Sequence, residues 1–573
     1  MINTGSIVSL TVMVSQNELP DTIQVMNVST HRELNRIPMA KIVVLDGDPA
    51  KSDFPISNES TLLPGNEIEV LAGYDGEVVT IFKGIIINHK IKIRSQGAIL
   101  EIDCKDQVFK MAKNRKSGYF YDSKDSDLME ELITRNGLEA AVESTNYAHP
   151  EMIQYQCTDW DFLVARAQAN GMVVNVENGK VQVAKPDPGQ SSVRSVQFGD
   201  NIMEFDAEMD GRNQVPGVSS FGWNPTDHEM IKIEATNPAF NLNGNLSPDE
   251  LSDLMGLDPV DLKNGGKIAD ALLQDWADSK WMFQQLAKTR GRVKIQGNSE
   301  PVPGQCLSLN GVGNRFSGDA YVSGIRHQIA DGNWTMDVQF GMDPEWFTEQ
   351  FSIHTQPTSG LLAAVKGLQV GIVSQLEGDP DGEDRIMVKF PVINEEEQGV
   401  WCRLSSLDAG DERGFAFRPE IGDEVIVGFI NEDPNQGVVL GMLNSSSHPS
   451  HLELSDDNHQ KGYVSRSGMK VMFDDELNKM EIETPAGKKI VLDEDEDAIT
   501  ITDDHGNSVT MNGEGIVMES GSNMTIKSTG DINLEGVNIN IKSQAELKAE
   551  GSAAATLSSS GTTTVKGSLI QIN

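Results

Sequence analysis

The chain has 573 residues, enough for several domains of ordinary size. Its 86 acidic residues outnumber 46 basic ones, and the net charge of −40 disfavours binding to nucleic acid or to anionic lipid. No apolar run has the length of a membrane span, and the amino terminus lacks the pattern of a signal peptide, so we expect assembly in the cytoplasm.

Residues 1–115 are predicted to form a first β-domain, because apolar stretches alternate with turns rich in Gly, Asp and Asn. The predicted strands have the sequences IVSLTVMV, AKIVVLDG, NEIEVLAGY, VVTIFKGIIINHKIKI and GAILEIDCKD.

Residues 116–190 are predicted to form an α/β insert with two helices. In SDLMEELITRNG, the apolar residues that share one face are Leu128, Leu132 and Ile133. In TDWDFLVARAQANG, Thr158 and Asp161 have the spacing of a capping box. The predicted buried stripe of this second helix is Trp160, Leu163, Val164 and Ala167. An Asn-Gly pair ends each helix.

Residues 191–355 are predicted to form a second β-domain that also contains helices. Ser247 and Glu250, with Pro248 between them, are typical of a helix start. A longer helix is predicted at about 266–288, with a buried stripe of Ile268, Leu272, Leu273, Trp276 and Leu286. Residues 354–360 have the composition of a linker.

Residues 365–445 are predicted to form a small barrel of the oligonucleotide/oligosaccharide-binding (OB) type, because five short strands follow one another closely. The strands have the sequences GLQVGIVSQL, DRIMVKFPVI, VWCRLSS, GDEVIVGFI and QGVVLGML. Residues 367–443 contain 16 acidic and 5 basic residues, which disfavours a phosphate-binding groove. We therefore expect a structural adaptor.

The last segment, 460–573, alternates polar and apolar residues, and from residue 516 the pattern repeats every eight positions. Ordering eight residues costs about 8–16 kcal/mol, whereas three small buried side chains return about 5–9 kcal/mol. One octad cannot stabilise itself. We therefore predict that three chains wrap around one axis as an intertwined trimeric β-helix, or β-prism. The predicted fold class is mainly β.

The barrel segment resembles the OB domain of VgrG-type and phage baseplate spike proteins. The motifs that carry the resemblance are DPDG at 379–382, the strand at 385–390, WCR at 401–403, Ala409-Gly410, PEIGDEV at 419–425, and Gly441. Trp401 is expected to pack in the small core. The first 350 residues are similar to the hub of the same family, through FKGIIINHKI, TDWDFLVARAQANGMVV and the segment from PGQCLSLN to FSGDAYVSGIRHQI.

The resemblance implies a structural spike and not an enzyme. Such a spike is a homotrimer whose hub sits on the inner tube protein and contacts baseplate proteins. Its β-prism pierces the target membrane mechanically, and a PAAR-like tip protein caps its end. The residues predicted to contact the tip protein are Leu569, Ile570, Gln571, Ile572 and Asn573. Effector cargo is a further candidate partner. The setting is either an extracellular phage-tail-like particle or a type VI secretion apparatus, and the lack of an appended effector domain favours the former.

No catalytic, cofactor or metal site is predicted. The four cysteines (Cys104, Cys157, Cys306 and Cys402) are far apart, which favours neither a disulfide framework nor a zinc site. His448, His451 and His459 lie beside Asp456 and Asp457, but in a serine-rich linker, and the last histidine is His505. This position argues against an iron site at the apex, as found in some phage spikes.

Two other functions stay open at this point. A polysaccharide hydrolase or lyase with a single-chain β-helix would need a carboxylate-lined groove on aromatic-bearing coils, and no aromatic residue follows Phe473. A passive trimeric fibre or adhesin would need neither the hub nor the OB unit.

Overall fold

The computed structural model describes residues 7–95, 97–394 and 396–572. The chain divides into two compact units. The first takes in the chain up to residue 365 together with 431–434, and the second takes in 366–430 and 435–573. Among the described residues, no helix has the length and apolarity that a membrane crossing requires.

The first unit begins with a run of strands joined by turns. Their bounds are β1 Val8–Val14, β2 Asn17–Glu18, β3 Val25–Glu33, β4 Met39–Leu45, β5 Glu67–Tyr74, β6 Glu77–Arg94 and β7 Gly97–Lys105, with the short helix α1 at Pro55–Asn58. The five strands predicted for this region are present, and β2 and β3 are the two strands that were not predicted.

The next segment carries two helices against short strands. Their bounds are β8 Arg115–Lys124, α2 Asp125–Thr134, β9 Glu139–Val142, β10 Ala148–Thr158, α3 Asp159–Ala169, β11 Val173–Glu177 and β12 Lys180–Ala184, after a 3₁₀ turn at Gln107–Ala112. Both helices bury the predicted stripes. The Thr158 hydroxyl accepts a hydrogen bond from the Asp161 amide at 3.0 Å, which caps α3. Gly137 and Gly171 have φ of +74° and +68°, as helix ends require.

The rest of the first unit returns to strands. Their bounds are β13 Arg194–Gln197, β14 Ile202–Met209, β15 Val218–Asn224, β16 Glu229–Glu234, α4 Pro248–Met255, β17 Val260–Lys263, α5 Asp270–Leu286, β18 Thr289–Gln296, β19 Cys306–Asn310, β20 Gly318–Ala330, β21 Asn333–Phe340 and α6 Phe347–Gln350. A 3₁₀ turn follows at Pro357–Gly360, in the predicted linker. Ser247 and Glu250 form the predicted capping box.

The buried stripe of α5 differs from the prediction. The helix begins at Asp270, and Leu273, Ala277 and Trp281 make its buried face, four residues apart. Leu272 and Trp276 are only half-buried. Leu273 and Leu286 of the predicted stripe are buried, but an apolar-rich helix of this length offers two adjacent stripes, and Ala277 and Trp281 lie on the buried one. The strands against which α5 packs determine which of the two stripes is buried.

One large sheet joins the two predicted β-domains of the first unit. Strand β3 pairs antiparallel with β20, from Asn27↔Ala330 to Glu33↔Gly324. Within the described residues the sheet has 13 strands and runs from β14 at one edge to β2 at the other. Hydrogen bonding therefore does not separate residues 1–115 from 191–355, and the domain boundaries stay a prediction.

A buried histidine lies where β20 and β21 pair. His327 is 2% exposed, and its Nδ1 accepts a hydrogen bond from the Trp334 indole N–H at 3.3 Å. This bond places the proton of the neutral ring on Nε2. Burial, and after it the positive charge of Arg32, lower the pKa of His327 to about 4.

We expect this histidine to make the first unit sensitive to acid. The folded pKa of about 4 lies below the ordinary 6.5, so the unfolded chain takes up the proton first. Stability is therefore lost as the pH falls from 6.5 to 4, by about 3 kcal/mol. Denaturant unfolding at several pH values should show that loss in the wild-type chain relative to His327→Gln. The exposed His354→Gln variant should follow the wild type. Parallel curves for wild type and His327→Gln would contradict the prediction.

The second unit begins with the predicted barrel. Its strands are β22 Gln369–Gln375, β23 Ile386–Lys389, β24 Val400–Leu404, β27 Glu424–Phe429 and β28 Gly437–Met442, and the hairpin strands β25 Ala409–Gly410 and β26 Arg413–Gly414 lie outside it. In the described part of the unit, the five barrel strands close in the order β22-β23-β24-β28-β27. The core consists of Val373, Ile386, Val388, Phe390, Cys402, Val425, Val427 and Val439.

The prediction that Trp401 fills the barrel core is wrong. Cys402 is fully buried in that core, whereas Trp401 is half-exposed. Neighbouring side chains on a strand point to opposite faces, so only one of the two can face inward. The small interior takes the smaller side chain, and burial raises the pKa of the Cys402 thiol to about 12.

The DPDG turn of the barrel is held by its own side chains. The Asp379 carboxylate accepts hydrogen bonds from the Arg385 guanidinium at 2.5 and 3.0 Å and from the Glu383 amide at 2.8 Å. The Arg385 hydrogen bonds hold the pKa of Asp379 well below its usual range. The cluster therefore has a structural explanation as a hairpin turn.

Candidate functional site: the carboxyl-terminal tail

The tail begins as a sheet made by one chain. Its strands are β29 Gln460–Val464, β30 Lys470–Asp474, β31 Lys479–Glu483, β32 Lys489–Asp493, β33 Ala498–Thr502, β34 Ser508–Asn512 and β35 Gly515–Glu519. Each strand pairs antiparallel with the next. The reversals use residues with positive φ, including Asn478 (+47°), Gly487 (+84°) and Gly506 (+80°).

This part of the tail differs from the predicted intertwined structure. Intertwining was predicted over the whole of 460–573, yet the chain pairs with itself as far as Glu519. The reason lies in the turns, because a turn follows each five-residue strand up to that point and lets the chain reverse. The octad pattern begins only at residue 516.

One side of this sheet is apolar, and we call it the apolar face. Its side chains are Val471, Phe473, Met480, Ile482, Ile490, Leu492, Ile499, Ile501, Val509, Met511, Ile516 and Met518. The strand register stacks them in two columns, one that starts at Phe473 and one that starts at Val471. Leu492 is 42% exposed, Ile501 43% and Ile516 66%, so the face lacks a covering layer in the single chain.

The opposite side of the sheet is charged. Lys489 forms an ion pair with Glu481 at 2.7 Å, and Lys470 forms one with Glu483 at 3.2 Å. An antiparallel sheet with one charged and one apolar side normally turns the charged side to water and packs the other. The apolar face is therefore the side that an assembly would cover.

The second part of the tail, residues 520–572, has no strand pairing in the described chain. Every residue from 521 to 572 is exposed, and Val537 is fully exposed. Leu534 and Leu557, which occupy octad positions, are 70% and 81% exposed. One copy of the chain therefore leaves the octads without partners and does not coil upon itself.

The predicted tip-contact residues lie at the end of this segment. Leu569 is 82% exposed, Ile570 48% and Ile572 90%, and Gln571 is also exposed. Asn573 lies outside the described residues. The contact with a tip protein stays a prediction.

His448, His451 and His459, near the start of the tail, are the histidines that lie beside Asp456 and Asp457 in the sequence. Among residues 7–95, 97–394 and 396–572, no group of three or more His, Cys, Asp or Glu side chains is placed to hold a metal ion. His448 instead contacts its neighbours in the linker, with the Ser447 hydroxyl 3.4 Å from its Nδ1.

The alternation of the tail was predicted, but the continuous apolar face that residues 471–518 form was not. The available signal was the return of apolar pairs two residues apart, such as Ile490 and Leu492, on every strand between successive turns.

Two family models match the chain. The model described as "Alg8 N-terminal domain" matches residues 4–331, which is more than half of the chain. The model described as "Type VI secretion system/phage-baseplate injector OB domain" matches residues 369–443. The second match covers the closed barrel of the second unit.

Curated relatives and solved structures are also similar to parts of the chain. "Type VI secretion system spike protein VgrG1b" of Pseudomonas aeruginosa is 26% identical over 206 residues, which cover 32% of this chain and 28% of that protein. "Actin cross-linking toxin VgrG1" of Vibrio cholerae is 27% identical over 183 residues, which cover 30% of this chain and 16% of that protein. A tail protein from Neisseria meningitidis MC58 has a TM-score of 0.43 and 16% identity, and covers 60% of this chain and 98% of that one.

These matches confirm the resemblance to VgrG-type spike proteins and the assignment of the OB barrel. The matched segments span less than a third of the length of the two curated relatives.

Proposed function

Because the chain belongs to the family described as Alg8 N-terminal domain and carries an injector OB domain, we propose that it is the structural spike of a contractile injection system. The observation that carries this proposal is the tail. Its apolar face and its unpaired octads are surfaces that only other chains can complete. A spike supplies those chains as further copies of itself.

The energetics of the tail favour assembly with further copies of the chain. Covering the half-exposed large side chains of the apolar face contributes about 6–12 kcal/mol per chain. Three such sheets can turn their apolar faces to one axis and their charged faces to water. Beyond Glu519, each octad then gains strand partners from the two other chains, so its backbone hydrogen bonds form as well.

The partners follow from this role. The first unit forms the hub that sits on the inner tube protein and the baseplate, and the barrel is an adaptor between hub and tail. The tail crosses the target membrane by force, and a PAAR-like protein caps its end at residues 569–573. The protein acts mechanically and not as an enzyme. It works in an extracellular phage-tail-like particle or a type VI apparatus, with effector cargo as a further load.

The two alternatives are less well supported. A lyase with a single-chain β-helix needs coils stacked within one chain, and residues 520–572 show no such pairing among the described residues. A passive fibre does not account for the injector OB domain.

The native mass of the purified full-length chain tests the proposal. We expect a mass of three chains, because the apolar faces and octads are satisfied only together. Deleting 520–573 should lower the melting temperature of the trimer, and deleting 460–573 should yield monomers or weakly associated chains. The 1–459 variant keeps the barrel and first unit and serves as the folding control through its circular dichroism. A stable full-length monomer with an ordered tail would overturn the proposal.

A further inference from the structure

The loop that follows the hairpin strand β26 carries two exposed phenylalanines. Phe415 and Phe417 are 52% and 48% exposed. Their ring centroids lie 5.8 Å apart in a stacked arrangement, so both rings share one side of the loop. Neither ring belongs to the hydrophobic core that fills the closed barrel. The two rings therefore do not contribute to the core of their own domain.

Hydrogen bonds within the chain hold this loop in place. The Phe415 amide donates to the Asp408 carbonyl at 3.0 Å, and the Ser406 hydroxyl donates to the Phe415 carbonyl at 2.8 Å. Pro419, two residues after Phe417, is buried. Because the backbone beneath the rings is anchored, a partner that covers them has little conformational entropy to remove.

The second of these rings contacts the first strand of the tail. The ring centroid of Phe417 lies 4.8 Å from that of Tyr463 on β29, with the two rings edge-on at 65°. Tyr463 is 48% exposed and is the cross-strand partner of Val471. Cross-strand partners lie on one side of a sheet, so Tyr463 extends the column of the apolar face that starts at Val471.

We call Phe415, Phe417 and Tyr463 the aromatic patch. It continues the apolar face from the tail onto the barrel, and its three side chains are each about half exposed in the single chain. The linker at 444–459, which joins barrel and tail, does not cover it. An exposed apolar surface that continues from one domain to the next is typical of a protein–protein interface.

The arginines that flank the aromatic patch in the sequence already have partners in their own chain. Their ion pairs are Arg413–Asp408 at 2.7 Å, Arg418–Asp384 at 2.9 Å and Arg466–Glu420 at 2.8 Å. The carboxylates of Asp411 and Glu412 belong to the turn of the hairpin before β26. The contact that the aromatic patch offers is therefore apolar and needs no charged partner.

We propose that the aromatic patch of each copy packs against the aromatic patches of two further copies. This inference rests on the trimer of the proposed function, and it adds the barrel to the surfaces that hold the trimer together. A surface beside a three-fold axis meets its own equivalents in the other copies. Because Tyr463 extends a column that the trimer turns to its axis, the ring of Phe417, which contacts Tyr463, lies beside the axis as well.

Continuity with the apolar face selects a further copy as the occupant. Any protein that covers the aromatic patch also meets the end of the apolar face at Tyr463 and Val471. In the proposed trimer, further copies already occupy that place. The partner of the aromatic patch is therefore the same patch on other copies of this chain.

Dilution of the full-length chain tests this contact. In the Phe415→Asp, Phe417→Asp chain, carboxylates replace rings where the three patches meet. We expect this trimer to reach half-dissociation at a subunit concentration at least about tenfold higher than the wild type does, because buried aromatic anchors dominate interface energies. Native mass over a dilution series in mild denaturant measures the difference.

The matched control makes the same change elsewhere on the same barrel. Val392 and Ile393 are apolar and exposed, at 81% and 74%. The Val392→Asp, Ile393→Asp chain should reach half-dissociation at the wild-type concentration, because these residues lie outside the aromatic patch.

A cross-link identifies the neighbour of the aromatic patch without adding charge. The full-length Phe415→Cys chain is treated with a short bismaleimide, which joins thiols within its reach. The four native cysteines are buried, so the new thiol reacts first. We expect a covalent product of two chains, because each new thiol faces its equivalents. The Val392→Cys chain should stay unlinked under the same conditions.

These measurements separate failure of the contact from failure of the proposed function. A wild-type trimer with unchanged dissociation in the Phe415→Asp, Phe417→Asp chain would overturn the contact and leave the spike intact. Equal cross-linking of Phe415→Cys and Val392→Cys would do the same. A loss of melting temperature that is independent of protein concentration would mean that the patch only joins the barrel to its own tail, and it would overturn the contact too. A wild-type monomer would overturn both.

Discussion

Replacing Ile490 and Ile501 by aspartate is expected to abolish the trimer and leave the chain as a monomer. The two residues are cross-strand partners on β32 and β33, in the centre of the apolar face. Their exposures in one chain are 37% and 43%, so the single sheet tolerates polar groups there. The assembly does not tolerate polar groups at these two positions, because both positions become buried when three apolar faces meet.

The size of the effect follows from the number of copies. A trimer would lose six isoleucines, each worth about 1.5–3 kcal/mol when fully buried. It would also have to bury six carboxylates near one another, and each of these ions carries a desolvation penalty of several kcal/mol. Per chain, losing two isoleucines and burying two carboxylates together cost at least as much as the about 6–12 kcal/mol that covering the apolar face contributes. Native mass and the melting temperature of the assembly measure the result.

The control uses the same two strands and the other side of the sheet. Val491 and Thr500 are cross-strand partners next to Ile490 and Ile501, and they belong to the charged face. The Val491→Asp, Thr500→Asp variant should keep the trimer mass, with a melting temperature close to that of the wild type. A monomer in the control, or a trimer in the Ile490→Asp, Ile501→Asp variant, would show that the apolar face does not lie inside the assembly.

Local sequence patterns correctly predicted most of the helices and strands. The barrel was predictable because short apolar strands alternate with Asp, Pro and Gly turns, and both features act within a few residues. The caps of α3 and α4 were predictable for the same reason, since Thr158 and Ser247 bond three residues ahead. Strand β3 was missed because its sequence, VMNVSTHRE, is largely polar, and its pairing with β20 decides its structure.

Features that depend on distant residues could not be predicted in this way. The choice between Trp401 and Cys402 for the barrel core depends on the room that the barrel leaves once β24 has paired with β23 and β28. Asp159, the first residue of α3, is a buried anion that accepts hydrogen bonds from Arg135 at 2.5 and 3.2 Å, and nothing in the local pattern marks it as such. These hydrogen bonds, with one from Lys116, outweigh the effect of burial and hold the pKa of Asp159 well below its usual range.

The same limit applies to the candidate site. Alternation predicted that the tail is a surface for other copies, but it did not locate the end of self-pairing at Glu519. That point depends on turn chemistry over the preceding strands.

A second large effect is expected from Arg166→Met in the α/β insert. The Asp125 side chain is 2% exposed, and Arg166 donates to both of its oxygens, at 2.6 and 2.7 Å. Methionine fills the space of the arginine but leaves a buried carboxylate without its cation. We expect a loss of about 3–5 kcal/mol in the free energy of unfolding at pH 7.

The pH dependence of this loss identifies its cause. Burial raises the pKa of Asp125, but the bonds from Arg166, Asn170 and His149 outweigh it and bring the pKa to about 2. The wild-type chain therefore loses this contribution as the pH falls from 3.8 towards 2. Without Arg166, burial dominates and the pKa of Asp125 rises. The variant takes up a proton in the folded state, so the stability gap should narrow between pH 7 and pH 4.

The control for Arg166→Met breaks an ion pair that is open to water. Lys180 contacts Glu139 at 2.7 Å in the same insert, with side-chain exposures of 49% and 66%. Lys180→Met should leave the free energy of unfolding close to that of the wild type at both pH values, because solvent already screens that pair. Denaturant unfolding of the wild type, Arg166→Met and Lys180→Met at pH 7 and pH 4 measures these free energies of unfolding. A gap for Arg166→Met that stays constant with pH would mean that lost packing, and not an uncompensated buried charge, weakens the insert.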